Sequence, residues 1–175
     1  MGILLTVDLK HVSESVLASR GGAHGSWPWT RKLLAAADAQ FNSQWASASI
    51  DAADALDIRL PPHAGEPCKG DQLTLVGDTG ATVREACVLL EKIADTYARH
   101  NASCMSRIEF ASEAPLSQVV LSSAPLNWEE YADVATAPGA LYCVDGFHRL
   151  VAWAWKGRLA KGVALPVWLA GSSHN

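Results

Sequence analysis

The sequence predicts a domain of mixed sheet and helix, α/β or α+β. Three observations predict it. Short β-branched runs alternate with stretches of helical periodicity along 175 residues. About half the residues are hydrophobic and 18% are charged, which is a globular composition and not a disordered one. The length suits one domain with a substantial core, so residues 1–175 are read as a single unit. No internal repeat and no low-complexity segment breaks it.

Ile3–Val7 is suited to a strand, and "HVSESVLASR" follows with Val12, Val16 and Leu17 at helical spacing. "GGAHGSWPWT" reads as a loop, with Thr30 capping a helix over Arg31–Phe41. "SQWASASI" alternates as a strand. A short helix over "DAADALDI" ends at Pro61-Pro62. "DQLTLVG" reads as a strand closed by the turn "GDTG". The clearest helix signal comes next. Thr82 and Glu85 stand in capping-box spacing, and Val83, Cys87, Leu90, Ile93, Ala94 and Tyr97 form one stripe ending near Arg99. "SQVVLSS" is a strand, "PLNWEEYADVATAPGA" an irregular connection with room for one helical turn, and "LYCV" a strand. "FHRLVAWAWK" is a helix stopped by Gly157, and "ALPVWLA" a final strand.

Composition excludes several classes of function. The net charge is −4, and the 14 Lys and Arg are scattered, so the basic footprint of a nucleic-acid binder is absent. No apolar run approaches the roughly 20 residues of a membrane span, and "GILLTV" lacks the basic flank of a signal peptide. Cys68, Cys87, Cys104 and Cys143 show no metal-ligand spacing and are expected as free buried thiols. A cytoplasmic protein with a small-molecule substrate is expected, with no nucleic acid, membrane or bound metal centre. Among seven Trp, Trp153, Trp155 and Trp168 read as core or interface residues, which leaves a homodimer open. Trp27 and Trp29, in the Gly-rich loop, are either core or a lid.

The chemistry concentrates in "YCVDGFHRLVAWAWKG". Asp145 is a natural N-cap, and Gly146 permits a tight turn and leaves the backbone open to a ligand. Phe147, Leu150, Val151 and Ala154 supply the buried stripe, while His148 and Arg149 occupy the first turn. A cation there opposes the helix dipole by roughly 0.3–1 kcal/mol. It becomes favourable when an anion lies between it and the free N–H groups, and phosphate suits both. The plainer alternative is an i,i+4 pair of Arg149 with Asp145. The two can coexist. Asp145 beside a phosphate needs either a bridging Mg²⁺ or a carboxylate turned away to cap the helix, and the second is preferred.

Around these residues the chain resembles the ParB/sulfiredoxin-like superfamily. "LSQVVLSSAP", "ALYCVDGFHRLVAWAWKG" and "VALPVWLAG" follow the order and spacing of its phosphate-binding core, over residues 115–171. The resemblance implies an α+β single domain with a mixed sheet, a ParB/sulfiredoxin-like core and a divergent N-terminal part. It implies that Gly146, His148 and Arg149 contact nucleotide phosphates. Sulfiredoxins carry a Cys where this chain has Phe147, which puts sulfinic acid repair in doubt. ParB proteins bind CTP and carry a separate DNA-binding domain, for which this chain is too short and too acidic. The free serine kinases of the superfamily are the nearest chemical analogy. They imply ATP or ADP with Mg²⁺, phosphoryl transfer to an amino-acid-like acceptor, and an N-terminal Glu as base, for which Glu14 is a candidate.

A phosphotransferase needs a base near the acceptor hydroxyl. Asp145, His148 and Glu130 are the catalytic candidates, Glu130 from "NWEEYAD" together with Glu129 and Asp133, where Trp128 and Tyr131 supply walls. The same stretch also reads as a solvated turn. His63 and Glu66 are equally explained by loop polarity. Ser122 and Ser123 end a strand pointing toward the motif, where they either bond a ligand or only terminate the strand. Two readings compete with the kinase: a non-catalytic module for an anion or a partner's carboxylate, and an enzyme of specialised metabolism that kept the fold without nucleotide.

Overall fold

A seven-stranded mixed sheet divides the hydrophobic core into two layers. The computed structural model describes residues 5–19, 27–62 and 73–171. Seven strands form the sheet: β1 (Leu5–Val7), β2 (Trp45–Asp51), β3 (Arg59–Leu60), β4 (Ala81–Thr82), β5 (Val119–Ser122), β6 (Tyr142–Asp145) and β7 (Ala164–Ala170). Their order is β1-β2-β7-β5-β6-β3-β4. The β7/β5 and β6/β3 pairs are parallel and the others antiparallel. Among the described residues five α-helices cover the sheet: α1 (Leu9–Ser19), α2 (Trp27–Gln40), α3 (Val83–His100), α4 (Ala102–Glu113) and α5 (Phe147–Trp155). The protein is α+β.

Strand side chains alternate between faces, and the two clusters follow that period. Ala48, Ile50, Val119, Leu121, Cys143, Leu165, Val167 and Leu169 face α3, α4 and α5. Trp45, Val120, Tyr142, Val144, Trp168 and Ala170 face α1, α2 and the connection between β5 and β6. β5, β6 and most of β7 are buried on both faces, which is why they read as unbroken apolar runs.

The capping box at Thr82 forms as expected. The Glu85 N–H donates to Thr82 Oγ1 at 3.1 Å, and the Thr82 N–H donates to Glu85 Oε2 at 2.7 Å. Val83, Ala86, Cys87, Leu90 and Tyr97 are buried along α3. Gly157 closes α5 with a φ of 63°.

Four local expectations are corrected. α2 begins at Trp27, so Thr30 lies inside the helix and is buried. Pro28 sits in the first turn, where its missing N–H costs nothing. Trp27 and Trp29 therefore belong to a helix that packs on the second cluster, and they form no lid. "DAADALDI" shortens to one 3₁₀ turn, Asp54–Asp57. Leu73–Gly77 carries no strand: Leu75 and Val76 pack into the core from a loop, and Asn101 Nδ2 donates to the Leu73 carbonyl at 2.7 Å. α4 was not anticipated. Residues 63–72 and 172–175, which include His63, Glu66 and Cys68, lie outside the described residues, as do 1–4 and 20–26.

Candidate functional site

The mouth of α5 opens where β6 ends. Gly146 is the N-cap, with φ 115° and ψ 12°. The first i→i−4 bond runs from the Leu150 N–H to the Gly146 carbonyl at 2.9 Å. The N–H groups of the preceding turn are thus beyond the helix ladder, at its positive end. Glycine is required here for two reasons. An L-residue is strained at this φ, and an ideal Cβ would stand 2.6 Å from Cγ1 of Val119. The Cβ-free side therefore faces the core, not a ligand.

Gly146, and not Asp145, holds the N-cap position of α5. Its buried carboxylate accepts from Arg149 Nη2 at 2.9 Å. Arg149 Nη1 donates to Ser117 Oγ at 3.1 Å and to the Gln118 carbonyl at 2.7 Å. The cation at the helix N-terminus is thereby neutralised from within the fold, which answers part of the dipole conflict. Side-chain exposure is 21% for Arg149 and 6% for Asp145, so the pair is largely buried. Burial pulls the guanidinium below its ordinary value, partly offset by Cys143. It stays charged through the physiological range. Three of its five N–H donors are engaged by these acceptors, leaving Nε–H and one Nη2–H. Sequence reading missed Ser117 and Gln118, whose only signal was their place just before β5.

His148 is half-buried, and its ring lies edge-on to Phe147 at 5.4 Å between centroids. The Cys143 thiol, two residues before Asp145, is pushed up to about 12 by burial, so it is no nucleophile at neutral pH. Cys87, Cys104 and Cys143 are buried and in no disulfide.

The remaining candidates do not gather at the mouth. β5 runs antiparallel to β6, with Val120 beside Asp145 and Ser122 beside Tyr142. Ser122 and Ser123 therefore lie at the far end of β6, roughly 10 Å along the strand from Asp145. The Ser122 hydroxyl donates to the Ala124 carbonyl and that of Ser123 to the Gly171 carbonyl. They terminate the strand. Glu130 sits between Trp128 and Tyr131, which pack into the cluster on the sheet face opposite α5. Burial pushes the Glu130 carboxyl above its ordinary value of 4.5, with the neighbouring Glu129 adding to the rise. Glu14 lies on α1, in that same opposite layer, and its carboxylate is 3.9 Å from Lys10 Nζ on the surface.

Among the described residues no group of three or more His, Cys, Asp or Glu is placed to hold a metal ion. No described helix is long and apolar enough to cross a membrane. The site belongs to an α+β protein in which a buried Asp-Arg pair stands at a glycine-capped helix mouth. The chain is a member of a family of unknown function, DUF6309, which matches residues 26–175. No curated protein and no solved structure matches it.

Proposed function

We propose that the α5 mouth binds the phosphate of a nucleotide or of a phosphorylated small molecule. The supporting observation is the state of Arg149. It is braced by Asp145, Ser117 and Gln118, yet two guanidinium donors remain, on a side chain still one-fifth exposed, beside the first-turn N–H groups. Such a guanidinium is preorganised, so little rotamer entropy is lost when an anion arrives. The most specific form of the proposal is phosphoryl transfer from ATP or ADP to a small amino-acid-like acceptor. It rests on the resemblance of residues 115–171 to the ParB/sulfiredoxin-like superfamily.

In that reading Arg149 and the first-turn N–H groups orient the phosphate, and Asp145 positions Arg149. Asp145 is committed to the guanidinium and is not the general base. His148, the other ionisable side chain of the first turn, takes the acid–base role in this reading. Mg²⁺, if used, arrives on the nucleotide phosphates, since the described residues supply no metal-binding cluster.

A non-catalytic module is the second reading, and the three acceptors already held by Arg149 favour it. Amide NMR with inorganic phosphate and with ATP separates the two. The proposal expects saturable shifts at Gly146, His148 and Arg149 and slow metal-dependent loss of ATP. Shifts without turnover favour the module. No shifts at these three amides refute phosphate binding at the mouth.

A further inference from the structure

A second recess lies on the sheet face opposite α5. It has a volume of about 700 Å³ and runs between Gln40, at the end of α2, and residues 124–136 of the β5–β6 connection. Buried Leu126, Tyr131 and Val134 line it, and half-buried Trp128 gives it an aromatic wall. The walls are braced. Gln40 Nε2 donates to the Pro125 carbonyl at 2.9 Å, and Gln40 Oε1 accepts from the Asn127 N–H at 2.6 Å. The Tyr131 hydroxyl donates to the Cys143 carbonyl at 2.6 Å, anchoring the connection to β6. Trp29 meets Trp128 edge-on, with ring centroids 5.6 Å apart.

The electrostatics of this recess are one-sided. Its lining includes Glu129 and no Lys, Arg or His. Glu130, next in the chain, has a buried Oε2 with no hydrogen-bond partner, and so does the Trp128 indole N–H. Native folds satisfy nearly all such groups; burial pushes the half-buried Glu130 carboxyl up, and its own backbone N–H and the Trp128 side chain offset this only in part. No cationic side chain in the lining balances these two acidic residues. An aromatic face beside carboxylates is the arrangement that attracts organic cations.

We propose that this groove binds a small protonated amine. The ammonium lies against the Trp128 ring and the Glu129 carboxylate, and Glu130 strengthens the field from behind the wall. The site is independent of phosphate binding at α5, because it is built from a different cluster and different elements.

The test uses the full chain and follows the indole N–H resonance of Trp128, assigned with Trp128→Phe. Ethanolamine and tetramethylammonium are titrated against ethylene glycol and tert-butanol, neutral molecules of similar size. Saturable shifts with the two cations only are expected. The Glu129→Gln, Glu130→Gln double variant is expected to weaken them roughly tenfold, in line with two carboxylate contributions of under 1 kcal/mol each. Equal shifts from the neutral molecules, or no saturable shift from either cation, would overturn the proposal without any variant. So would unchanged affinity in a double variant whose amide spectrum shows it folded.

Discussion

Gly146, Arg149 and Glu130 each carry a physical tension that a single substitution exposes. At Gly146 the φ of 115° and the approach of Val119 both exclude a side chain. Gly146→Ala is expected to cost about 1–3 kcal/mol from the backbone alone, more once Val119 is displaced, read by denaturant unfolding. A change below 0.5 kcal/mol would mean that the turn adapts freely. At Arg149 the cost lies in what remains behind. Arg149→Ala strands a buried Asp145 carboxylate and is expected to lose about 3–5 kcal/mol. Replacing both partners, Asp145→Leu with Arg149→Met, should recover a good part of that loss. A double variant no more stable than Arg149→Ala would show that the bonds to Ser117 and Gln118, not the stranded charge, dominate.

Glu130 gives the opposite sign. Its folded value is raised above 4.5, so the charged form costs stability at neutral pH. That cost is fully present above the folded value and disappears as pH falls to 4.5 and below. Glu130→Gln should therefore be more stable than the wild type at neutral pH, with the difference shrinking toward pH 4.5, in urea titrations at several pH values. A variant that is less stable at neutral pH contradicts a net cost of burying the charged Glu130 carboxylate.

Among the elements, those with local chemical signals were the legible ones. The capping box announced α3 through Thr82 and Glu85, and Thr82→Ala is expected to cost about 1 kcal/mol. Hydrogen bonds from Thr82 hold Glu85 below its ordinary value of 4.5. Their contribution is present above 4.5 and is lost as pH falls through the folded value, so the Thr82→Ala deficit should shrink in acid. A deficit independent of pH would count against the bond from the Thr82 hydroxyl to Glu85 Oε2, 2.9 Å long. α4 escaped notice because it has no cap bond. Asn101 ends α3 and opens α4, and the buried face is Cys104, Met105, Ile108, Ala111 and Ser112, of which only two are strong apolar signals. "DQLTLVG" failed from the reverse error: Leu75 and Val76 are apolar because they are buried, although no strand neighbours them. Pro28 misled the reading of α2, where a residue that breaks helices stood inside the first turn.

For the whole molecule, the sequence supported a mixed sheet-and-helix domain, and the order strand, turn, helix, strand around Asp145 is as read. The pairing order was not legible, and the site depended on it. Ser122 and Ser123 pointed toward the motif only if β5 and β6 ran the same way. They run antiparallel, which carries the serines to the far end and brings Ser117 and Gln118 to Arg149. The division into two layers likewise separated Glu130 from the helix mouth. A one-dimensional reading finds residues that share a local turn, such as Asp145 and Arg149. Partners joined through strand direction are invisible to it.

The central claim is that the α5 mouth is a phosphate site, and thermal unfolding of the wild-type chain tests it most directly. ATP, ADP, CTP and inorganic phosphate are each added with and without Mg²⁺, so that no variant weakened by a stranded charge is needed. A ligand at about 100 times its dissociation constant adds roughly 2.7 kcal/mol, a shift of several degrees. The account predicts such a shift with at least one nucleotide, reduced in His148→Ala. Unfolding temperatures that stay the same with every phosphate compound would contradict it and leave Asp145 and Arg149 as a structural tie between α5 and the start of β5.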